Sequence, residues 1–249
     1  MNHFSFHPYI NKDIVVSQFQ GYIKYLATTG SAKIYENQEG LLAQLGKDYT
    51  CAVLHHAKSE DPLLSHAYPM QKWYCYPPSE NLQRIFYSKG MKLETTYKGL
   101  IRNLASHIPR IQPKGDVQLV FVESDFQFDL WCEVFNQVWS NISYETASDL
   151  FRKFASYKEN RIKLVLAIEG SMPVGCSVLD LTGSVAGMYE DAVIPSHRNR
   201  LIGSAMLSKR LRYAWEKGAE NAVVIVPQNS ESYAERSGFH SCCDIQCYL

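Results

Sequence analysis

The 249-residue sequence has no net charge, since 25 lysines and arginines face 25 aspartates and glutamates. That excludes a bulk field steering the chain toward nucleic acid or an anionic membrane. It also lacks any run of the roughly 20 apolar residues needed to span a bilayer. The opening residues, "MNHFSFHPYINKD", have neither the basic nor the apolar segment of a secretion signal, so a cytoplasmic location is expected. Cysteine pairing is missing too. Cys51, Cys75, Cys132, Cys176, Cys242, Cys243 and Cys247 form an odd, scattered set, as expected of free thiols in a reducing compartment. The tail "CCDIQC" has no second Cys/His pair at zinc spacing, so no metal is expected. What the chain does have is core. Hydrophobic residues make up 46% and charged residues 20%, the balance of a globular protein of one large or two small domains.

Prolines and a glycine without apolar period mark "NLASHIPRIQPKGD" as a linker. Residues 1–104 read as an N-terminal α/β module, 105–115 as the linker and 116–249 as a second α/β domain. In the first, a helix is expected from about Lys12 to Ala27, then strands at "YTCAVLHHA" and "QKWYCY". His55 and His56 would alternate faces in such a strand, one at the core edge and one exposed. A helix follows, capped by Ser79 behind Pro77 and Pro78 and closed by Gly90. The second half opens with the strand "VQLVFVES". Phe128, Trp131, Phe135 and Val138 then lie along one helical face, and another helix is expected from about Tyr144 to Tyr157. A hairpin turns at Gly170 and Ser171, and "GSVAGMYEDAVI" adds a strand. A helix over Gly203–Lys217, the interior strand "NAVVIV", a short helix ending at Gly238 and a last strand complete the chain. Helices between strands imply a ligand at the strands' carboxyl ends.

The turn in "DAVIPSHRNRLIGSAML" carries chemistry. A strand delivers the chain to Pro195, and a helix opening near Gly203 points its unpaired N–H groups outward, where a phosphate suits them. Arg198 and Arg200 can add charge-assisted hydrogen bonds, or be ordinary solvated arginines. Glycine at 203 lets a bulky pyrophosphate approach the backbone.

This stretch resembles the acetyl-CoA motif of the GNAT superfamily of CoA-dependent N-acetyltransferases. Pro195, Arg198 and Gly203 match, while Leu201 stands where the family has its first glycine. "NAVVIVPQNSESYAERSGF" resembles the family's next strand and closing element, with Asn229, Gly238 and Phe239 matching and Tyr233 one position early. The front half, through "WYCYPPSENLQRIFYSKGMKLE", resembles the truncated GNAT-like module that precedes some catalytic GNAT domains.

The resemblance implies a mixed, splayed central sheet flanked by helices, with a smaller α/β N-terminal domain that walls the acceptor site. It implies that Asp191, Ala192 and Val193 pair with the pantetheine arm. Arg198, Asn199, Arg200, Leu201, Ile202, Gly203, Ser204 and Asn229 would hold the rest of acetyl-CoA. Leu201 can donate its N–H there provided its φ stays negative. Transfer to an amine needs a base, for which Glu190 and Asp191 are candidates on opposite strand faces, unless both are salt-bridged or solvated. The Val193 amide is a candidate for the developing oxyanion. Tyr189, on the Asp191 face, either lines the acceptor pocket or packs. Tyr233 could protonate the leaving thiolate; otherwise a water or Ser232 does so.

The leading expectation is thus an acetyl-CoA-dependent N-acetyltransferase acting on a small-molecule or peptide amine, with no nucleic acid or membrane partner. The alternative is a non-catalytic acyl-CoA-binding sensor or interaction module of the same fold. A homodimer is compatible with either, and a fragment beginning near Pro113 is expected to keep the cofactor site.

Overall fold

In the computed structural model, residues 8–28, 33–45, 49–58, 61–67, 71–139, 143–154 and 161–249 are described. The N-terminal half runs α1 (Pro8–Thr28), β1 (Lys33–Glu36), β2 (Gly40–Gln44), β3 (Thr50–His55), β4 (Lys72–Tyr76), α2 (Glu80–Ser88) and β5 (Leu93–Asn103). The C-terminal half runs β6 (Val117–Phe121), α3 (Asp125–Val138), α4 (Tyr144–Phe151), β7 (Ile162–Glu169), β8 (Met172–Thr182), β9 (Val185–Val193), α5 (Ile202–Glu216), β10 (Asn221–Pro227), α6 (Glu231–Arg236) and β11 (His240–Tyr248). Helix starts follow side-chain chemistry. Ser79, Ser124 and Ser143 each accept a hydrogen bond from a first-turn backbone N–H, of Leu82, Gln127 and Thr146 respectively. The helix expected to reach Tyr157 ends earlier: α4 stops at Phe151 and a 3-10 turn covers Arg152–Phe154. Residues 155–157 lie outside the described residues. The β1–β2 hairpin was not legible beforehand, because "KIYE" and "GLLAQ" are too short for a period-2 pattern to stand out.

The strands form one 11-stranded sheet in the order β1-β2-β3-β4-β11-β5-β10-β9-β8-β7-β6. The division into residues 1–104, 105–115 and 116–249 follows the sequence, but the sheet crosses it. β5, from the front half, lies between β10 and β11 of the back half and pairs antiparallel with both. Pairing with β10 runs from Asn221↔Asn103 to Pro227↔Tyr97. β10 is therefore interior as expected, yet parallel only to β9 and antiparallel to β5. The linker is strapped to α5: Ser208 Oγ donates to the Pro109 carbonyl at 2.5 Å, and the Lys114 N–H donates to the Arg200 carbonyl at 2.8 Å.

Alternate residues of β10 divide the interior. Val223 joins the core shared by α1, α3 and α4, while Ala222, Val224 and Val226 join the core beneath α5 and α6. A third cluster, with Trp73, Phe86 and Tyr248, seats α2 on the N-terminal strands. Helix α1 belongs to the front half yet reaches across to the back half. Arg161 binds the fully buried Asp180 of β8 at 2.7 Å and the Gly21 carbonyl of α1 at 3.0 Å, and Gln18 donates to Asp180 at 3.1 Å.

This shared sheet reverses the expectation for a fragment beginning near Pro113. Without β5, the backbone groups of β10 and β11 lose their ladder, and unpaired buried polar groups are costly. Residues 113–249 alone are expected to lack cooperative unfolding and dispersed amide resonances. A cooperatively folded fragment would overturn this.

Candidate active site

The site begins with an irregularity in β9. The β8–β9 register passes from Val178↔Tyr189 to Cys176↔Ala192, so Glu190 and Asp191 together face Ser177 alone. That is a β-bulge, and Glu190 takes it up with φ +54°. The two carboxylates then leave on opposite faces. Asp191 pairs with the fully buried Arg210 of α5, while Glu190 accepts from the Tyr22 hydroxyl of α1 at 3.4 Å. Tyr189 does not share the Asp191 face as regular alternation predicts. Its ring stacks on Tyr22 with centroids 4.2 Å apart, on the α1 side.

Just before the bulge, β9 parts from β10. Their parallel register covers Val185–Met188 against Asn221–Val224, although β9 continues to Val193 and β10 to Pro227. The Ile194 N–H donates to the Val174 carbonyl at 3.1 Å. Antiparallel alternation then turns Ala192 toward β8 and the Val193 backbone toward the gap. Ala192 is thus not placed to pair along the gap edge. The Val193 carbonyl accepts from Arg198 Nε at 3.1 Å.

The gap leads to the start of α5. Leu201 is the N-cap residue, and no side chain among the described residues caps this helix. The first helix N–H with an intrahelical partner is that of Ala205, bonded to the Leu201 carbonyl at 2.9 Å. Ile202, Gly203 and Ser204 therefore present the first-turn N–H groups. Leu201 departs from the expectation of a negative φ. It sits at +60° and Asn199 at +63°, both in the left-handed region. Arg200 departs too. Its guanidinium is bound by both Glu169 oxygens and donates to the Lys114 carbonyl at 3.2 Å, so it anchors the linker rather than facing the gap. Arg200, with His197 at 3.0 Å, holds the Glu169 carboxyl below the usual range.

Tyr233 comes to the same place from the other side. A Cβ built on Gly203 would lie 3.4 Å from the Tyr233 hydroxyl and 3.9 Å from Val193 Cγ2. That hydroxyl is buried and has no hydrogen-bond partner among the described residues. Burial, reinforced by the Asp191 charge, pushes it well above the ordinary tyrosine value, so it stays protonated. Helix α6 spans only Glu231–Arg236 and follows a 3-10 turn over Gln228–Ser230. Asn229 is exposed on that turn, at the carboxyl end of β10, and Ser232 is exposed beside Tyr233. Burial pushes the Glu190 carboxyl up to about 7, opposed by the Tyr22 hydrogen bond.

Two contributors were missed by sequence reasoning. Arg210 looks like any helix-surface arginine, yet it is fully buried. Tyr22 lies in a helix whose relation to β9 only the fold reveals. Among the described residues, no helix is long and apolar enough to cross a membrane.

Residues 126–239 match the acetyltransferase (GNAT) family, so the chain carries a GNAT acetyltransferase domain. No curated protein matches it by sequence. The fold is similar to a GCN5-related N-acetyltransferase from Kribbella flavida, with TM-score 0.66, 13% identity, and 98% of this chain and 95% of that one covered. A GCN5-related N-acetyltransferase from Sphaerobacter thermophilus gives 0.64 and 13%, covering 96% and 90%. A tandem GNAT protein from the clavulanic acid biosynthesis pathway gives 0.56 and 14%, covering 96% and 94%. At such identities the likeness speaks for the fold, mixed α/β with a large mixed sheet flanked by helices.

The left-handed Leu201 yields a stability prediction. A non-glycine residue in this region costs about 1–2 kcal/mol, and the side chain is half exposed with little packing to lose. Leu201→Gly is expected to raise unfolding stability by up to about 1 kcal/mol, glycine's greater unfolded-state freedom offsetting part of the relief. A loss of stability in denaturant titration would refute this account of the turn.

Proposed function

We propose that this chain is an acetyl-CoA-dependent N-acetyltransferase that passes an acetyl group directly to an amine of a small molecule or peptide. The observation that carries the reading is the gap between β9 and β10, with the uncapped start of α5 at its mouth and Glu190 at its root. The residues fit the co-substrate. Ile202, Gly203 and Ser204 supply N–H groups and the positive end of a 15-residue helix dipole to a pyrophosphate. Arg198, exposed beside them, adds charge. Gly203 leaves the backbone open, and Val193 offers a backbone edge to an extended pantetheine arm, once Arg198 Nε gives up its carbonyl.

In the reaction, the neutral amine attacks the thioester carbonyl carbon and the C–S bond breaks. The proton lost by the amine goes to Glu190, and the departing thiolate takes one from the Tyr233 hydroxyl. A carboxylate held near 7 is matched to accept a proton at neutral pH. The Val193 N–H, turned to the gap, is the donor for charge growing on the carbonyl oxygen. Asp191 is committed to Arg210 and acts by holding the bulge rather than as the base. The sensor alternative draws on the Val193 carbonyl already being engaged by Arg198. It predicts acetyl-CoA binding without transfer to any amine panel.

Two measurements test the proposal. Acetyl-CoA should raise the melting temperature of the wild type, since it binds only the folded state. Gly203→Asp should abolish that shift by placing a carboxylate against phosphate, while an acidic residue in the first turn is favourable to the helix itself. An undiminished shift would remove the turn from the cofactor site.

The second measurement is the pH dependence of kcat/KM. An ionised Glu190 is the active form, so the rate should rise through about pH 7. Tyr22→Phe removes the bond that lowers this pKa, so the acid limb should move to higher pH. Glu190→Gln should cost about 10²–10⁴-fold. Full activity in Glu190→Gln would assign the base elsewhere.

A further inference from the structure

We propose that Asp13, His55 and His56 form a binding site for one divalent transition-metal ion, of which Zn²⁺ is the reference case. Asp13 Oδ1 lies 3.2 Å from His55 Nε2 and 3.3 Å from His56 Nε2. All three ligand atoms fall within 4.8 Å of one another. Zinc bonds of about 2.0–2.1 Å at tetrahedral angles place neighbouring ligand atoms roughly 3.3 Å apart. Two of the three ligand–ligand edges therefore already have the separation that a bound ion requires. The third edge is no longer than 4.8 Å.

The convergence is not what a strand gives. Neighbouring side chains in β3 should point to opposite faces, and that was the expectation for this pair. His56 breaks the alternation by adopting φ +59° just beyond the strand. Its backbone N–H is held by the Tyr76 carbonyl at 2.6 Å, and that of His55 by the Glu39 carbonyl at 2.7 Å. The Tyr76 ring packs on both imidazoles, with centroids 5.6 and 5.4 Å away. Both ring nitrogens then aim at the same carboxylate oxygen. Two imidazoliums so close would repel each other, whereas two neutral imidazoles and a carboxylate suit a borderline cation.

Three protein ligands leave at least one position for water or an outside group, as in open zinc sites. The nitrogen donors favour Zn²⁺, Co²⁺ or Ni²⁺ over Mg²⁺ or Ca²⁺, which prefer all-oxygen shells. Because Asp13 lies on α1 and the histidines end β3, the ion would staple α1 to the sheet. The site is independent of the acyl-transfer reading.

The test uses the full-length chain stripped with a chelator. Calorimetry with Zn²⁺ should return one site per chain, Zn²⁺ should raise the melting temperature, and Co²⁺ should give the visible absorption of a low-coordinate, nitrogen-ligated ion. Asp13→Asn and His56→Asn are both exposed changes, and asparagine tolerates the left-handed backbone at 56. Either should weaken binding at least about ten-fold, the scale on which even outer-shell changes act. Cys242→Ser/Cys243→Ser should leave binding unchanged. Absence of saturable binding in the wild type would overturn the proposal. So would undiminished binding in Asp13→Asn/His56→Asn, or loss of binding in the double cysteine variant.

Discussion

The buried guanidinium of Arg210 is the constraint on which the site depends. It reaches from α5 across the sheet face to bind the Asp191 carboxylate, the Val178 carbonyl at 2.8 Å and the Tyr189 carbonyl at 3.4 Å. These groups belong to the bulge and to the strand facing it. A bulge leaves backbone groups without ladder partners, and a buried carbonyl without a donor is costly. Arg210 supplies that donor, and Asp191 neutralises the charge it brings inside. Neither partner tolerates loss of the other, since an uncompensated buried ion costs about 3–5 kcal/mol. The pair thus keeps β9 kinked, and the kink is where β9 leaves β10.

On the opposite face, α1 does for Glu190 what α5 does for Asp191. Asp180, Arg161 and Gln18 tie α1 down over the sheet, and Tyr22 then stacks on Tyr189 and meets Glu190. The front half therefore shapes this part of the back half twice over. It supplies a strand to the sheet and a roof to the buried carboxylate. One carboxylate of the bulge is neutralised by a cation and fixed. The other accepts from the Tyr22 hydroxyl, and burial raises its pKa to about 7 against the lowering effects of that bond and of the Lys72 charge.

Much of the back half was legible from local signals. Glycine turns and apolar periods placed its helices and strands, and the family resemblance carried by Pro195, Arg198, Gly203 and Asn229 pointed to one end of the sheet. Signals acting over a few residues survive translation into structure, since each is its own cause. What escaped depends on partners distant in sequence. Arg210 meets Asp191 nineteen residues away, Tyr22 meets Glu190 across 168, and β5 enters the sheet between strands from the other half. His56 and Leu201 escaped for another reason. Nothing in an ordinary histidine or leucine announces a positive φ, and only glycine or asparagine would have hinted at one.

Leu201 also shows how a left-handed turn into a helix can form without glycine. Glycine lowers the cost of a left-handed residue at the position itself. Here the cost stays, and the turn is imposed from outside. The Arg200 carbonyl accepts from Lys114, its guanidinium is gripped by Glu169, and Arg198 is drawn back to the Val193 carbonyl. The residues leading into Leu201 are thereby pinned to the linker, to β7 and to β9. With these residues fixed, residue 201 has to bridge them to α5, and a compact right turn into that helix leaves the left-handed region as its solution. Side-chain locks have taken over a task that a glycine performs through freedom of the backbone. A turn held this way fixes the direction of its first-turn N–H groups. Arg200, read in the sequence as a phosphate ligand, contributes more in this arrangement as the bolt that keeps those groups in place.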